Sequence, residues 1–328
     1  MLLSDLPYAN LSPDLVLEAL ESVGCLCDGR ILALNSYENR VYQMGLDDGG
    51  FVVTKFYRPG RWSDEAILEE HLFAFELADQ EIPVVAPLKL NGATLHEHAD
   101  YRFAVFRRQG GRWPELGSKD DRLWMGRFVG RIHAVGFANK FAHRLSLSTE
   151  RMGDDSADYL LANDWLPRHL IESYETIVAQ LLEMVAGCFD RAGEYLELRI
   201  HGDCHPGNVL WTADGPHFVD LDDCISGPAV QDLWLFLSGK REERTLQLQD
   251  LLEGYGQFFE FDYRQLHLIE ALRTVRMIHY AAWIARRWVD PAFPRAFPWF
   301  ADNKYWEEHV LALKEQAGVM NEPPLEVL

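Results

Sequence analysis

The chain has 328 residues, with 31 Lys and Arg against 51 Asp and Glu, for a formal net charge of −20. At roughly 150 residues per domain this is about two domains or lobes, and the acidic surplus excludes nucleic acid or an anionic membrane surface as the main partner, since both need clustered Lys and Arg. With 48% hydrophobic residues the chain can bury a core, and no apolar run approaches the roughly 18 residues that span a bilayer.

Residues 1–7 lack the basic start and apolar stretch of a signal peptide. The five cysteines, Cys25, Cys27, Cys188, Cys204 and Cys224, are odd in number and unevenly spaced. They read as reduced thiols, not as a disulfide framework or a zinc site. A cytosolic protein is expected.

Residues 30–34, 40–44 and 51–57 read as strands, the last two forming a hairpin across Asp47-Asp48-Gly49-Gly50. A helix follows. Ser63 is placed to cap it, Asp64 and Glu65 suit its N-terminal dipole, and Ile67, Leu68, Phe73, Ala74 and Leu77 fit helical spacing. Residues 84–90 and 101–107 read as two further strands. Hairpin, helix and more antiparallel strands make this half α+β, not a βαβ repeat.

After Gln109-Gly110-Gly111 the pattern turns helical, over residues 121–135, 165–189, 231–237, 242–259 and 265–288. Strand-like exceptions fall at 196–201, 209–211 and 217–221. The expected division is a lobe of residues 1–109 and a mostly helical lobe of residues 110–328. Residues 290–300 hold Pro291, Pro294 and Pro298 among aromatic side chains. Most of that stretch is not expected to be helix, because each proline removes an N–H and restricts the residue before it. The aromatic residues over 280–300 are expected to cover the core of the helical lobe.

The chemistry concentrates in His201-Gly202-Asp203-Cys204-His205-Pro206-Gly207-Asn208 and, downstream, Phe218-Val219-Asp220-Leu221-Asp222-Asp223. Phosphoryl transfer from a nucleotide asks a protein for little covalent chemistry. It needs a carboxylate to orient or deprotonate the acceptor hydroxyl, oxygen ligands for magnesium, and a cation on the phosphates. Asp203, Asn208 and Asp220 fit the acceptor carboxylate and the two metal ligands, in that order. Residues 209–211 and 217–219 can pair across Asp214-Gly215, which would bring Asn208 and Asp220 together. Asp203, Asp220, Asp222 and Asp223 are expected to form a carboxylate cluster that needs magnesium to accept ATP.

Lys55 supplies the cation. It lies in an otherwise apolar strand and must find an anion. The next helix offers Glu69 and Glu70; Phe73 and Leu77 place Glu70 nearer the buried face, while a one-residue rotation would select Glu69. His201 and His205 read as hydrogen-bonding residues. Cys204, next to carboxylates, reads as a sluggish thiol.

The His-Gly-Asp-x-His-x-x-Asn pattern resembles the aminoglycoside phosphotransferase and choline kinase branch of the protein-kinase-like fold. Residues 34–42 (Leu-Asn-Ser-Tyr-Glu-Asn-Arg-Val-Tyr), 55–59, 67–71, 227–234 and 286–294 (Arg-Arg-Trp-Val-Asp-Pro-Ala-Phe-Pro) are similar, within that branch, to the bacterial stress response kinase A (RdoA-type) family. The resemblance spans about residues 10–325. It implies a bilobal α+β kinase-like fold and a cytosolic ATP-dependent serine/threonine protein kinase.

It also implies roles. Asp203 becomes the proton acceptor, Asn208 and Asp220 the Mg2+ ligands, and Lys55 the phosphate lysine. Ser36 and Asn39 fall in the loop over the phosphates, which contains no glycine; Ser36, Tyr37 and Asn39 are all candidates for the contact. Phe106 and Arg107 fit the linker that meets adenine. Asp222 is a metal or a structural residue, and Asp232 ties the catalytic loop to the following helix. The implied partners are ATP and a protein with the acceptor Ser or Thr, with autophosphorylation a further outcome. The chain is expected to act as a monomer. The small-molecule hydroxyl kinases of the same branch are the alternative.

Overall fold

The first element begins where Ser12 accepts the Leu15 N–H and Pro13 occupies a position that needs no donor, giving α1 (Pro13–Ser22). The structure, a computed structural model, describes residues 6–327. Residues 1–5 of the stretch read against a signal peptide therefore lie outside the described residues. No helix among the described residues is long and apolar enough to cross a membrane.

An antiparallel sheet follows, from β1 (Cys27–Ala33), β2 (Arg40–Leu46) and β3 (Phe51–Phe56). The Ser63 hydroxyl accepts the Ala66 N–H and opens α2 (Asp64–Asp79). Strands β4 (His96–His98) and β5 (Tyr101–Arg107) complete the sheet, whose order is β1-β2-β3-β5-β4. The register sets Lys55 opposite Val41 on one side and Ala104 on the other. One sheet face packs Met44, Val52, Phe56 and Phe103 against Val16 and Leu20 of α1.

The chain then becomes helical. Helix α3 (Lys119–Ala138) is followed by α4 (Thr149–Met152), α5 (Asp154–Ala162) and α6 (Ile171–Ala192). Short strands β6 (Leu198–Ile200), β7 (Val209–Thr212), β8 (Gly215–Phe218) and β9 (Ile225–Gly227) interrupt it, pairing β6 with β9 and β7 with β8. Helices α7 (Gln231–Trp234), α8 (Arg241–Tyr255), α9 (Ile269–Arg286), α10 (Ala292–Ala296) and α11 (Asn303–Met320) complete the chain. Helices α3 and α8 approach closely because Gly126 has no side chain; a Cβ there would stand 2.0 Å from the Leu251 carbonyl oxygen.

The largest buried cluster runs from Phe73 and Leu77 of α2 through Met125 and Val129 of α3 to Val209, Phe218 and Leu233. It packs the helix beside the sheet against the hairpin β7–β8 and the helical half. Each such side chain, when fully buried, contributes on the order of 1.5–3 kcal/mol. A second cluster joins α5, α6, α9 and α11 around Tyr174, Phe293, Phe300 and Trp306.

Three readings of the sequence change. Residues 84–90 do not form a strand; they make only isolated bridges, among them Val84 with Phe218 and Pro87 with Phe106. Pro83 and Pro87 cannot donate, so a continuous ladder is broken. Helices α1, α4, α5 and α11 were not expected. Residues 290–300 hold more helix than expected, since α10 spans Ala292–Ala296 and a 3-10 turn spans Pro298–Ala301. Pro294 fits because it lies within the first turn of α10, where N–H groups have no intrahelical partner. Phe293, Phe297 and Phe300 are buried, as expected of core cover, while Trp299 and Tyr280 remain 40% and 41% exposed.

Candidate active site

The loop from β6 to β7 carries Asp203, and its backbone is tied from below. The two carboxylate oxygens of Asp232 accept the N–H groups of His201 at 2.7 Å and Gly202 at 2.8 Å. His133 Nε2 lies 3.1 Å from the same carboxylate, and Gln231 Nε2 donates to the Gly202 carbonyl. His201 Nε2 bonds the Val219 carbonyl at 3.0 Å. Gly202 takes φ +83°, and a Cβ there would meet the Asp223 carbonyl oxygen at 2.1 Å, so only glycine fits.

Asp203 meets one cation and one imidazole. Arg276 of α9 places Nη1 2.9 Å from Oδ1, and His205 Nε2 stands 3.4 Å from Oδ2. His205 Nδ1 accepts the Gly207 N–H at 2.9 Å, which leaves the ring proton on Nε2, facing Asp203. Burial pushes the Asp203 carboxyl up, but the hydrogen bond from His205 and the positive charge of Arg276 outweigh it and hold it below the usual carboxylate range. Asp203 is therefore an anion.

Asn208 sits at the end of the loop. Its Nδ2 donates to the Asp203 carbonyl at 3.0 Å, which leaves Oδ1 for another partner. The hairpin β7–β8 pairs Val209 with Phe218, and the Val219 N–H donates to the Asn208 carbonyl at 3.0 Å. This brings Asp220 next to Asn208. Asp220 has a left-handed backbone, φ 59° and ψ 60°, which is sparsely populated away from glycine and turns its half-exposed carboxylate inward.

Lys55 Nζ lies 3.0 Å from Glu70, 3.2 Å from Asp222 and 3.3 Å from Asp220. Burial favours a neutral lysine, but Asp222 and Glu70 raise its pKa well above the ordinary value. The choice between the two glutamates is settled by contact. Glu70 is 3% exposed and holds Lys55. Glu69 instead accepts the N–H groups of Ala142, His143 and Arg144 at 2.7–2.9 Å, tying α2 to the segment after α3.

A cavity of about 320 Å³ lies between the sheet and the hairpin β7–β8. Ser36, Lys55, Glu70, Phe106, Arg107, Asn208 and Asp220 all line it. Leu34, Val41 and Val53 give apolar wall from the sheet, and Leu210 and Phe218 from the hairpin. Asp203 lies outside that lining. Asn39 does too, which differs from its reading as a phosphate contact. It is 3% exposed, and its Oδ1 is committed to the Arg58 N–H at 3.1 Å.

The donor set facing the cavity is the Asn208 amide oxygen and the Asp220 carboxylate. That is a hard, oxygen-only set of the kind magnesium takes alongside water and phosphate. Asp203, Asp220, Asp222 and Asp223 do lie together, close enough for the charges of the other three to act on Asp223. No group of three or more His, Cys, Asp or Glu among the described residues could hold a metal by itself. Arginines share this charge, since Arg61 bonds both Asp222 and Asp223 and Arg276 meets Asp203. Asp222, 1% exposed, is held as an anion by Lys55, Arg61 and Arg144 against the cost of burial.

Arg276, Arg61 and Arg144 were missed from sequence. Each meets partners that are remote in the chain. Arg61 alone had a local signal, lying between the strand of Lys55 and the cap Ser63.

Sheet, hairpin, tied loop and facing lysine together define a kinase-like phosphotransferase. The chain matches the model of the Phosphotransferase enzyme family, APH, over residues 30–269. It is 43% identical over 329 residues to "Stress response kinase A" of Escherichia coli K12, covering 98% of this chain and 97% of that one. It is 41% identical over 331 residues to "Serine/threonine protein kinase RdoA" of Salmonella typhimurium LT2, with the same coverage. Among solved structures, an amicoumacin kinase in complex with AMP-PNP and Ca2+ superposes with TM-score 0.72 at 17% identity, covering 95% of this chain and 94% of that one. A choline kinase of Cryptosporidium parvum Iowa II gives 0.62 at 12%, over 96% and 98%. The chain belongs to the phosphotransferase enzyme family and, within it, to the stress response kinase A (RdoA-type) family.

Proposed function

We propose that the chain is an ATP- and Mg2+-dependent serine/threonine protein kinase of the cytosol, acting in a stress response. Residues 1–109 form its nucleotide lobe and residues 110–328 its catalytic and acceptor lobe. The observation that supports this most is the convergence of Lys55, Asn208 and Asp220 on one apolar-walled cavity, with anionic Asp203 beside Asn208. Phe106 and Arg107 meet the adenine and Ser36 the phosphate end. Lys55, fixed by Glu70, meets the phosphates. Asn208 Oδ1 and the Asp220 carboxylate hold Mg2+, which when bound neutralises the phosphate charge. Asp203 accepts the hydrogen bond of the acceptor hydroxyl, takes its proton as the hydroxyl oxygen bonds the γ-phosphorus, and ADP departs.

The protein acceptor is favoured by the names of the curated relatives. One observation favours a small-molecule hydroxyl instead. Strand β9 begins at Ile225, so few residues separate Asp220 from the next paired element and no long peptide-docking segment follows it. Radiolabelled ATP separates the two. Label in myelin basic protein or in the chain itself, without turnover of a panel of choline, aminoglycosides and homoserine, is the expected result. Metabolite turnover without protein labelling overturns the protein-kinase reading. Asp203→Asn should lower transfer roughly 10²–10⁴-fold while ATP still binds.

A further inference from the structure

Two of the sequence stretches that narrow the family, residues 34–42 and 286–294, meet in the fold. Arg40 Nη2 donates to both carboxylate oxygens of Asp290, at 2.7 and 2.8 Å, across 250 residues of chain. Arg58 Nη2 donates to the same carboxylate at 2.8 Å, and Asp290 is 3% exposed. Beside it, Glu38 accepts from Trp283 Nε1 at 2.7 Å and pairs with Arg287 at 2.6 Å and Arg58 at 2.9 Å. The Tyr37 ring lies 5.0 Å from that of Phe297.

The loop of residues 35–39 thus has two anchors. One is its own β-hairpin, where the Leu34 N–H donates to the Val41 carbonyl. The other is the corner between α9 and α10, on the far side of the cleft. The loop has no glycine, and Ser36 Oγ to the Asn39 carbonyl is a hydrogen bond within it. The second anchor is buried and ionic. Removing one partner of such a cluster leaves uncompensated charge, so the anchor is held firmly.

We infer that Asp290 is a positioning residue for phosphoryl transfer: from the helical side of the cleft it fixes Arg40 and Arg58, and through them the loop that covers the nucleotide phosphates. This rests on the functional reading above. Helix α9 then serves both ends of the reaction. Arg276 reaches Asp203, while Trp283, further along the same helix, and Arg287, at its C-terminal cap, reach Glu38. The donor loop and the acceptor carboxylate share one rigid frame.

The test is Asp290→Asn, which keeps the shape and removes the charge. Amide exchange at residues 35–40 of the nucleotide-free protein should accelerate about tenfold or more, with exchange in α6 and α11 unchanged. The KM for ATP should rise about tenfold while the acceptor KM changes less than about twofold. Asp290→Glu, which restores the carboxylate, should recover part of the ATP affinity. Unchanged exchange at 35–40 overturns the inference, as does equal acceleration throughout α9–α11, which marks a purely local structural role. If Asp290→Asn does not fold, Arg40→Gln cuts the same bridge from its partly exposed end and is read in the same way. The exchange measurement needs no substrate, so a wild-type chain that transfers no phosphate would sink the functional reading and leave this inference to be judged by exchange alone.

Discussion

Arg276 Nη1 lies 2.9 Å from Asp203 Oδ1, so a helix more than seventy residues downstream reaches the carboxylate proposed to face the acceptor. That oxygen has no well-directed hydrogen bond. Arg276 therefore acts on it by charge and leaves a lone pair for the incoming hydroxyl. Asp203 is held below the usual carboxylate range, so it stays ionised into mild acid. Arg276→Gln removes one of the lowering charges and raises the value. The acid limb of the kcat/KM profile should then move to higher pH, with the alkaline limb in place. An unmoved acid limb would show that Arg276 does not tune Asp203. Stability follows the same sign. The depressed carboxyl contributes stability above its unfolded value near 3.9, and the contribution is lost as pH falls through the folded value.

Glu69 carries a second pH-dependent contribution, remote from the chemistry. Burial raises its pKa, but the hydrogen bonds from Ala142, His143 and Arg144 outweigh this and lower it. Hydrogen bonds to a charged group are worth about 1.5–3 kcal/mol each in favourable settings, less where solvent reaches them. Glu69→Ala should destabilise the protein by about 2 kcal/mol in denaturant unfolding at neutral pH. The difference from wild type should shrink in acid, as protonation removes the same bonds from the parent. A difference independent of pH would mean that lost packing, not the carboxylate, is responsible.

What could be read from the sequence was local. Asp203 and Asn208 share one loop, and Asp220 lies across one hairpin from them, so spacing and turn residues brought the three together. Lys55 stood out as a charge in an apolar strand, and Glu70 as the carboxylate on the buried side of the next helix. The proline-interrupted stretch 84–90 was misread because its apolar residues outweighed Pro83 and Pro87. The arginines escaped for a different reason. Arg276, Arg61 and Arg144 have no periodicity or motif that announces a partner: the carboxylates of Arg276 and Arg61 lie 73 to 162 positions away, and Arg144 donates to the backbone carbonyls of Asp222 and Cys224, 78 and 80 positions away. Asn39 lies outside the cavity lining, since a loop asparagine satisfies a backbone N–H, here that of Arg58, as readily as a phosphate.

Cys204 neighbours the proposed base, yet it should not be a redox handle. It is 1% exposed, and burial together with the charges of Asp232 and Asp203 pushes its pKa well above the ordinary thiol value. Little thiolate is present near neutrality, and the thiolate is the reactive form. Brief iodoacetamide treatment of the native protein should label Cys25 and Cys27, which are partly exposed, before Cys204. Peptide mapping that found Cys204 modified first, with loss of transfer, would reverse this view.

Asp220 and Asp222 are two residues apart and should respond in opposite ways. The Asp220 side chain is 51% exposed and lines the cavity, so its removal opens no buried charge imbalance. Asp222 is buried among Lys55, Arg61 and Arg144. Asp220→Asn should leave the unfolding midpoint nearly unchanged while raising the Mg2+ concentration needed for half-maximal transfer. Asp222→Asn should instead cost about 3–5 kcal/mol of stability, because it strands the cations of a buried ionic cluster. Thermal unfolding and a Mg2+ titration of the two variants, side by side, decide the matter. If Asp222→Asn were as stable as wild type and shifted only the Mg2+ requirement, Asp222 would be the metal ligand and Asp220 would lose that role.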